Sequence, residues 1–501
     1  MTVYNINLGI GWASSGVEYA QAYRATVFRK IGIEAKFVFT DFFSQDNICD
    51  LTRNIGFRDD EIIWLYSYFT DIKVASTTVT IHDIREGFSG NIFREEKDNS
   101  TTRLFYGEND FLTVYHKGSD SELVRCVEIV SKGQLVRKDF YTYTKVFSEY
   151  YAPKENMATL YQRSFFNEDG SLAYEEIIGE KQSIYRLSDM ICYSKEEFVA
   201  HFMKSLHLTT KDVVILDRAT GVGQAVFANR EPAKLGVVVH AEHYSANTVT
   251  EHTILWNNFY DYQFTYSDEV DFFLVATERQ KEIMVAQFAQ FEGRNPVIWT
   301  IPVGSLEQLR QPEVVRKAYS MVTASRLAAE KHIDWLIKAV ITAHEQMPEL
   351  TFDIYGAGGE EQKLRELISQ GQAGSYIQLK GHKDLTDVYQ EYEVYLAGST
   401  SEGFGLTLLE AIGSGLPIIG FDVPYGNQTF VKEGRNGYLI PKYEANQESE
   451  IVAAFADRIV TLFQKQDLGS FQQVSYQVAA DYLTVKVEEK WKQLIEEMTH
   501  D

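Results

Sequence analysis

The chain has 501 residues, enough for two or three domains that each bury a core. Its 48 lysines and arginines stand against 71 aspartates and glutamates, and the formal net charge of −23 disfavours binding to nucleic-acid phosphates or anionic lipid. Three widely spaced cysteines, Cys49, Cys126 and Cys192, offer neither a zinc spacing nor a disulfide framework, which suits a reducing cytosol. The opening "MTVYNINLGIGW" has no basic region followed by an apolar block, so no signal peptide is expected. The absence of an apolar run of about 18 residues predicts that nothing spans a membrane.

In chain order, "VYNINLGI" reads as a strand, "GWASSG" as a loop and "VEYAQAYRATVFRKIG" as a helix stopped by Gly32. "EAKFVFTDF" returns as a strand, the opening of a parallel α/β domain. From Val74 the texture changes to short strands such as "FLTVYHKG" and "LVRCVEIVSKG", with hairpin turns at "KGSDSE", "SKGQ" and "NEDGS". No helical pattern intervenes until about Lys195, so residues 74–187 are expected to form an antiparallel sheet inserted into the α/β domain. "DVVILDRATGVGQAVF", "KLGVVVHAEH" and "VDFFLVATERQKEIMVAQF" then resume the α/β alternation, and "NPVIWTIPVG" closes the first half. A second α/β unit follows, from "AYSMVTASRL" onward. The expected domains are 1–73 with 188–305, the insertion 74–187, and 306–501. The two α/β units join near Val303 to Gln311, and ligands sit at the carboxyl ends of parallel strands in the cleft between such units.

Three stretches of the second half carry candidate chemistry. "ASRLAAEKHIDWLIKA" places Arg326 and Lys331 after a strand and at a helix entry, an anion site suited to a diphosphate. "IYGAGGEE" places Gly356, Gly358 and Gly359 between a strand and a helix, where backbone can approach a nucleotide. In "STSEGFGLTLLEAIGSGLPIIG", Glu402 precedes a Gly403-Phe404-Gly405 turn and Glu410 lies about two helical turns further on. Each carboxylate can accept two hydrogen bonds from a diol, so one can hold sugar hydroxyls and the other a ribose.

With "GH" before "DLTDVY", these stretches resemble the family-four retaining glycosyltransferases of the GT-B fold, and the Glu-x7-Glu spacing is among that family's more specific marks. The inserted sheet is similar to that of the protein O-glycosyltransferases of accessory Sec loci. The resemblance implies two Rossmann-like domains facing a cleft. It also implies transfer of N-acetylglucosamine from UDP-GlcNAc to serines and threonines of serine-rich repeat adhesins, in the cytoplasm and before their export. It implies a non-catalytic homologous co-subunit, no metal cofactor, and room for peripheral association with the inner face of the membrane. It assigns the diphosphate to Arg326 and Lys331, the donor sugar to Glu402, Gly403, Phe404 and Gly405, the ribose to Glu410 and the uracil to the backbone around His382 and Lys383. Gly16, with Val17, Glu18 and Tyr19, is assigned to the phosphates, and His240, at the end of "GVVVH", to the sugar; His243 is a second, weaker choice. The loop "GWASSG" departs from the pattern, with one glycine at the turn where the family often has two. The implied mechanism is front-face displacement with retention. Two alternatives stay open: a non-catalytic acceptor-binding subunit of the same fold, and a glucosyltransferase acting on a cell-wall polymer.

Overall fold

A computed structural model describes residues 1–12, 15–119, 121–155, 157–312, 315–442 and 447–499. Ala13 and Ser14 of the N-terminal loop, and Asp120 of the "KGSDSE" turn, lie outside the described residues.

Among the described residues the chain forms three sheets. The first is parallel, in the order Ile298–Thr300, Phe272–Val275, Lys234–Val239, Val213–Leu216, Val3–Asn7, Ala35–Phe39, Ile62–Trp64. Its central strands are continuous apolar runs (VVIL, FFLV) because both faces are covered. The second is also parallel, in the order Ile377–Gly381, Thr351–Tyr355, Ser320–Ala324, Val394–Ala397, Ile418–Phe421, Gly437–Ile440. Their carboxyl ends carry the candidate residues: His240 follows Lys234–Val239, Arg326 follows Ser320–Ala324, and Glu402 follows Val394–Ala397.

The third sheet is antiparallel and ten-stranded, running from Arg94–Lys97 to Ile191–Cys192, so its last strand lies beyond residue 187. Lys132 and Gly133 both have positive φ (51° and 76°), as the turn joining Val124–Ser131 to Gln134–Tyr141 requires. One face packs on its own α/β domain. Phe140, Phe147, Phe165, Tyr174 and Tyr185 join Phe42, Trp64, Tyr66 and Phe198 in a shared aromatic core. Phe42 and Phe147 meet at 5.3 Å and Tyr185 stacks on Phe198 at 4.3 Å. The stretch expected to lack helices contains one, Ile81–Gly87, started by a Thr80–Asp83 capping box. Ile81 and Ile84 cover Leu104, Leu112, Val114 and Val127 of the sheet. The outer strands leave Met157, Tyr161, Leu172, Ile177 and Ile191 exposed.

The segment between the two α/β halves is tied to the end of the second. Leu306 and Leu483 form a parallel bridge, with Leu306 N–H donating to the Tyr482 carbonyl and Thr484 N–H to that of Leu306, both at 2.9 Å. The chain then ends in the helix Thr484–Thr499, which packs on the first half: Val487, Trp491, Leu494 and Ile495 lie against Val3, Phe28, Val213 and Ile215.

Candidate functional site

Lys331 ends a short 3-10 turn, Ala329–Lys331, at the entry to the helix Ile333–His344. Its ammonium donates to Glu402 Oε2 at 3.0 Å, and both side chains are about one-fifth exposed at the cleft. The Glu402 carbonyl accepts from the N–H groups of Tyr425 and Gly426, both at 2.8 Å, which fixes the loop from below. Gly405 takes the left-handed conformation (φ 86°) that starts the helix Leu406–Gly413. Gly403 faces the other half: a Cβ there would lie 3.2 Å from the His240 carbonyl oxygen. The structure thus brings Lys331, Glu402, Gly403 and His240 together across the cleft.

Glu410 lies in the helix after Gly405 and receives a hydrogen bond from the Tyr389 hydroxyl at 3.1 Å. Burial raises its carboxyl above the usual range, while the Tyr389 bond and the nearby Arg310 pull the other way. Arg310 also donates to the Thr386 carbonyl, in the loop that begins with the exposed His382 and Lys383, so these residues and Glu410 share one corner. Arg326 is exposed and pairs with Glu330 at 3.1 Å, on the same loop as Lys331.

Other candidate residues already have partners within the protein. Gly356 and Gly358 make room for protein. Cβ atoms there would strike the Ser325 and Leu327 carbonyl oxygens at 1.8 and 2.3 Å, so these glycines let the Arg326 loop lie on the strand end. Gly16 opens the helix Gly16–Ile31, but Glu18 is buried and its carboxylate accepts from Ser15 N–H at 2.6 Å as half of a capping box. Val17 N–H donates to the Ser15 hydroxyl at 3.3 Å and Tyr19 N–H to the Ser15 carbonyl at 3.2 Å. These groups cap the helix, and the Tyr19 side chain is exposed.

His240 Nε2 lies 2.7 Å from Asp217 Oδ1, and its N–H, like that of Ala241, donates to the Tyr260 hydroxyl at 3.0 Å. Asp217 was missed by the sequence reading; the signal was an acidic residue closing the apolar strand "VVIL". His243 is not a sugar ligand. It is fully buried, donates from Nε2 to Gln287 Oε1 and accepts at Nδ1 from the Tyr425 hydroxyl, both at 2.8 Å. Tyr425 belongs to the second half, so this chain of bonds ties the halves together behind Glu402.

Burial lowers the pKa of His243 to about 4, only partly opposed by the bond to Gln287. Between about pH 6.5 and 4 the unfolded chain protonates this ring and the folded chain does not, so stability falls with pH, by about 3 kcal/mol in total. Urea denaturation at pH 7 and pH 4.5 should show a smaller difference for His243→Gln than for the wild type. An equal difference would refute this assignment.

Comparison with known proteins fits this geometry. The family described as GtfA extended beta-sheet domain matches residues 94–189, and that described as glycosyl transferases group 1 matches residues 318–465. The UDP-N-acetylglucosamine–peptide N-acetylglucosaminyltransferase GtfA subunit of Streptococcus pneumoniae serotype 4 is 56% identical, with 100% of both chains covered. The structure of the pneumococcal O-GlcNAc transferase GtfA in complex with UDP and GlcNAc superposes with a TM-score of 0.89 at 56% identity, over 100% of this chain and 99% of that one. A chain of a solved GtfA/B complex superposes with a TM-score of 0.98 at 57% identity, with both chains fully covered. With its two parallel domains, its cleft and its inserted sheet, this chain belongs to the family of GtfA subunits, glycosyltransferases of the GT-B fold.

Proposed function

We propose that this chain is the catalytic subunit of a retaining protein O-glycosyltransferase that moves N-acetylglucosamine from UDP-GlcNAc to serine and threonine hydroxyls. The observation that carries the reading is the Lys331–Glu402 pair opposite His240, in a chain so close to GtfA subunits over its full length. In the proposed step the acceptor hydroxyl oxygen bonds to the anomeric carbon on the face from which the bond to the β-phosphate oxygen breaks, and the hydroxyl proton passes to that departing oxygen. Lys331 and Arg326 offset the charge that develops on UDP, Glu402 and the amides of Gly403, Phe404 and Gly405 hold the sugar, and Glu410 holds the ribose. No metal is required, because Lys331 and Arg326 supply the positive charge.

The proposed acceptor is a serine-rich repeat adhesin, modified in the cytoplasm before export, and the proposed partner is a GtfB-like homologue. No helix among the described residues is long and apolar enough to cross a membrane. A non-catalytic subunit would not need the paired Lys331 and Glu402.

The test is intact-mass analysis of a serine-rich peptide incubated with UDP-GlcNAc, UDP-glucose or UDP-GalNAc, with and without the partner. Addition of one or more N-acetylhexosamines from UDP-GlcNAc alone, unchanged by EDTA, is expected. Transfer only from UDP-glucose, or loss on chelation that magnesium or manganese restores, would overturn the donor or the metal-independent reading respectively.

The exposed Met157 and Tyr161 of the antiparallel sheet are the proposed partner contact, since its other face is already packed. Met157→Glu with Tyr161→Glu should abolish co-purification with the partner at unchanged stability. Normal co-purification of the double variant would place the contact elsewhere.

A further inference from the structure

A buried polar cluster lies behind His240, and the donor-site reading leaves it unused. Asp217 is fully buried and receives Arg24 through two bonds, Nη2 to Oδ1 at 2.9 Å and Nη1 to Oδ2 at 3.0 Å. Gln21 Nε2 donates to its Oδ2 at 2.7 Å. Asn7 Nδ2 extends the cluster to Gln21 Oε1 at 3.1 Å and to Glu18 Oε1 at 3.3 Å. Arg24 and Gln21 come from the helix Gly16–Ile31, whose N-terminus is capped by Ser15 and Glu18. The cluster therefore joins this helix to His240 in one hydrogen-bonded unit.

Its effect on His240 follows from donor and acceptor chemistry. Burial alone would raise the Asp217 carboxyl, but the charge of Arg24 and the hydrogen bonds from His240 and Arg24 lower it, so the group is an anion. An ionised carboxylate only accepts hydrogen bonds, so the 2.7 Å contact requires the proton on His240 Nε2. In the neutral ring Nδ1 then carries a lone pair. Among the described residues Nδ1 has no hydrogen-bond partner, while Tyr260 fixes the backbone that carries the ring.

We propose that Asp217 is a positioning residue that holds His240 in the Nε2–H form, so that Nδ1 accepts a hydrogen bond from one hydroxyl of the donor sugar. The proposal rests on the donor-site reading above. It makes that hydroxyl a determinant of donor choice, because a sugar lacking it leaves the Nδ1 lone pair unpaired in a confined site. It also explains a buried carboxylate–guanidinium pair at a strand end, where an apolar pair would fill the space without desolvating two charges.

Two measurements on the full-length chain test it. Long-range ¹⁵N–¹H NMR of histidine-labelled protein, with the His240 signal assigned by loss in His240→Gln, should show the Nε2–H tautomer in the wild type. Asp217→Asn should show Nδ1–H or a mixture, because an amide can donate to Nε2. The second measurement is kcat/KM, with the partner present, for UDP-GlcNAc and its 3-, 4- and 6-deoxy forms. One deoxy donor should be slower by about tenfold or more with the wild type. Asp217→Asn should be slower with UDP-GlcNAc yet show little further loss with that one donor. Arg24→Met/Asp217→Asn removes the unpaired guanidinium and carries both measurements if the single variant does not fold. A wild-type Nδ1–H tautomer would overturn the proposal, as would deoxy penalties that are the same in wild type and variant. Should the wild type not use UDP-GlcNAc at all, the functional reading fails, and the tautomer of the unliganded chain still decides the role of Asp217.

Discussion

Lys331→Ala is expected to lower sugar transfer by about 10²–10³-fold, the loss typical of removing one preorganised group that stabilises developing charge. The departing diphosphate gains negative charge as the glycosidic bond breaks. In the proposed mechanism Lys331, held by its short turn and by Glu402, meets that charge. The loss should fall mainly on kcat, because the charge develops in the transition state. Glu402→Gln keeps the shape and removes the anion, so it should lose at least tenfold through weaker binding of the sugar hydroxyls. Neither change should alter stability by more than about 1 kcal/mol, since the pair is partly exposed and such pairs contribute little to folding. Initial rates with saturating donor, alongside thermal unfolding, separate the two effects. A variant that folds normally and transfers at close to the wild-type rate would remove that residue from the mechanism.

Phe165→Ala is expected to destabilise the chain by about 3–5 kcal/mol, the range for large-to-small changes at a buried aromatic. Phe165 is fully buried, stacks on Tyr174 at 4.4 Å and packs near Phe147 at 5.6 Å and Tyr66 at 5.8 Å. Two of these rings come from the antiparallel sheet and one from the α/β domain, so the cavity would open at the joint between them. Urea unfolding followed by fluorescence should show an earlier midpoint and loss of sheet and domain in one transition. Met157→Ala, on the exposed side of the same strand, should change stability by less than about 0.5 kcal/mol. A small effect of Phe165→Ala, or separate melting of the sheet, would mean that the insertion folds independently. The shared core also explains why deleting residues 74–187 is a poor test of partner binding: it would uncover the aromatic face of the domain left behind.

What could be read in the sequence follows the range of the interactions. The apolar runs and the hairpin turns are local patterns, and they lead to the two parallel domains and the inserted sheet. Lys331 follows one strand, and Glu402 and Glu410 share one short motif after another, so their placement at strand ends beside the cleft was legible. The helix Ile81–Gly87 was hidden by its brevity, although Thr80 and Asp83 form a visible capping box. Asp217 meets Arg24 and His240 across 193 and 23 residues, and no local pattern carries that information. The same holds for His243, the second choice for the sugar, which is bonded by Tyr425 from 182 residues away. Gly356 and Gly358 resemble a nucleotide loop because a close backbone approach selects glycine whether the neighbour is a phosphate or the Ser325–Leu327 segment.

The return of the last helix to the first half has a consequence for synthesis on the ribosome. Trp491 supplies the edge-on partner of Phe28 at 5.0 Å, and its ring lies 5.2 Å from the Arg24 guanidinium. When residues 1–305 have emerged, this flank of their sheet is still bare, and it stays bare until Thr484–Thr499 has been made. The nascent first half must therefore persist with an uncovered apolar surface while about two-fifths of the chain is still to be made. That interval is when a chaperone would be most needed. A stop before Thr484 would leave the first half of the polypeptide unfinished, so quality control would register loss of this helix as a folding defect of the N-terminal half.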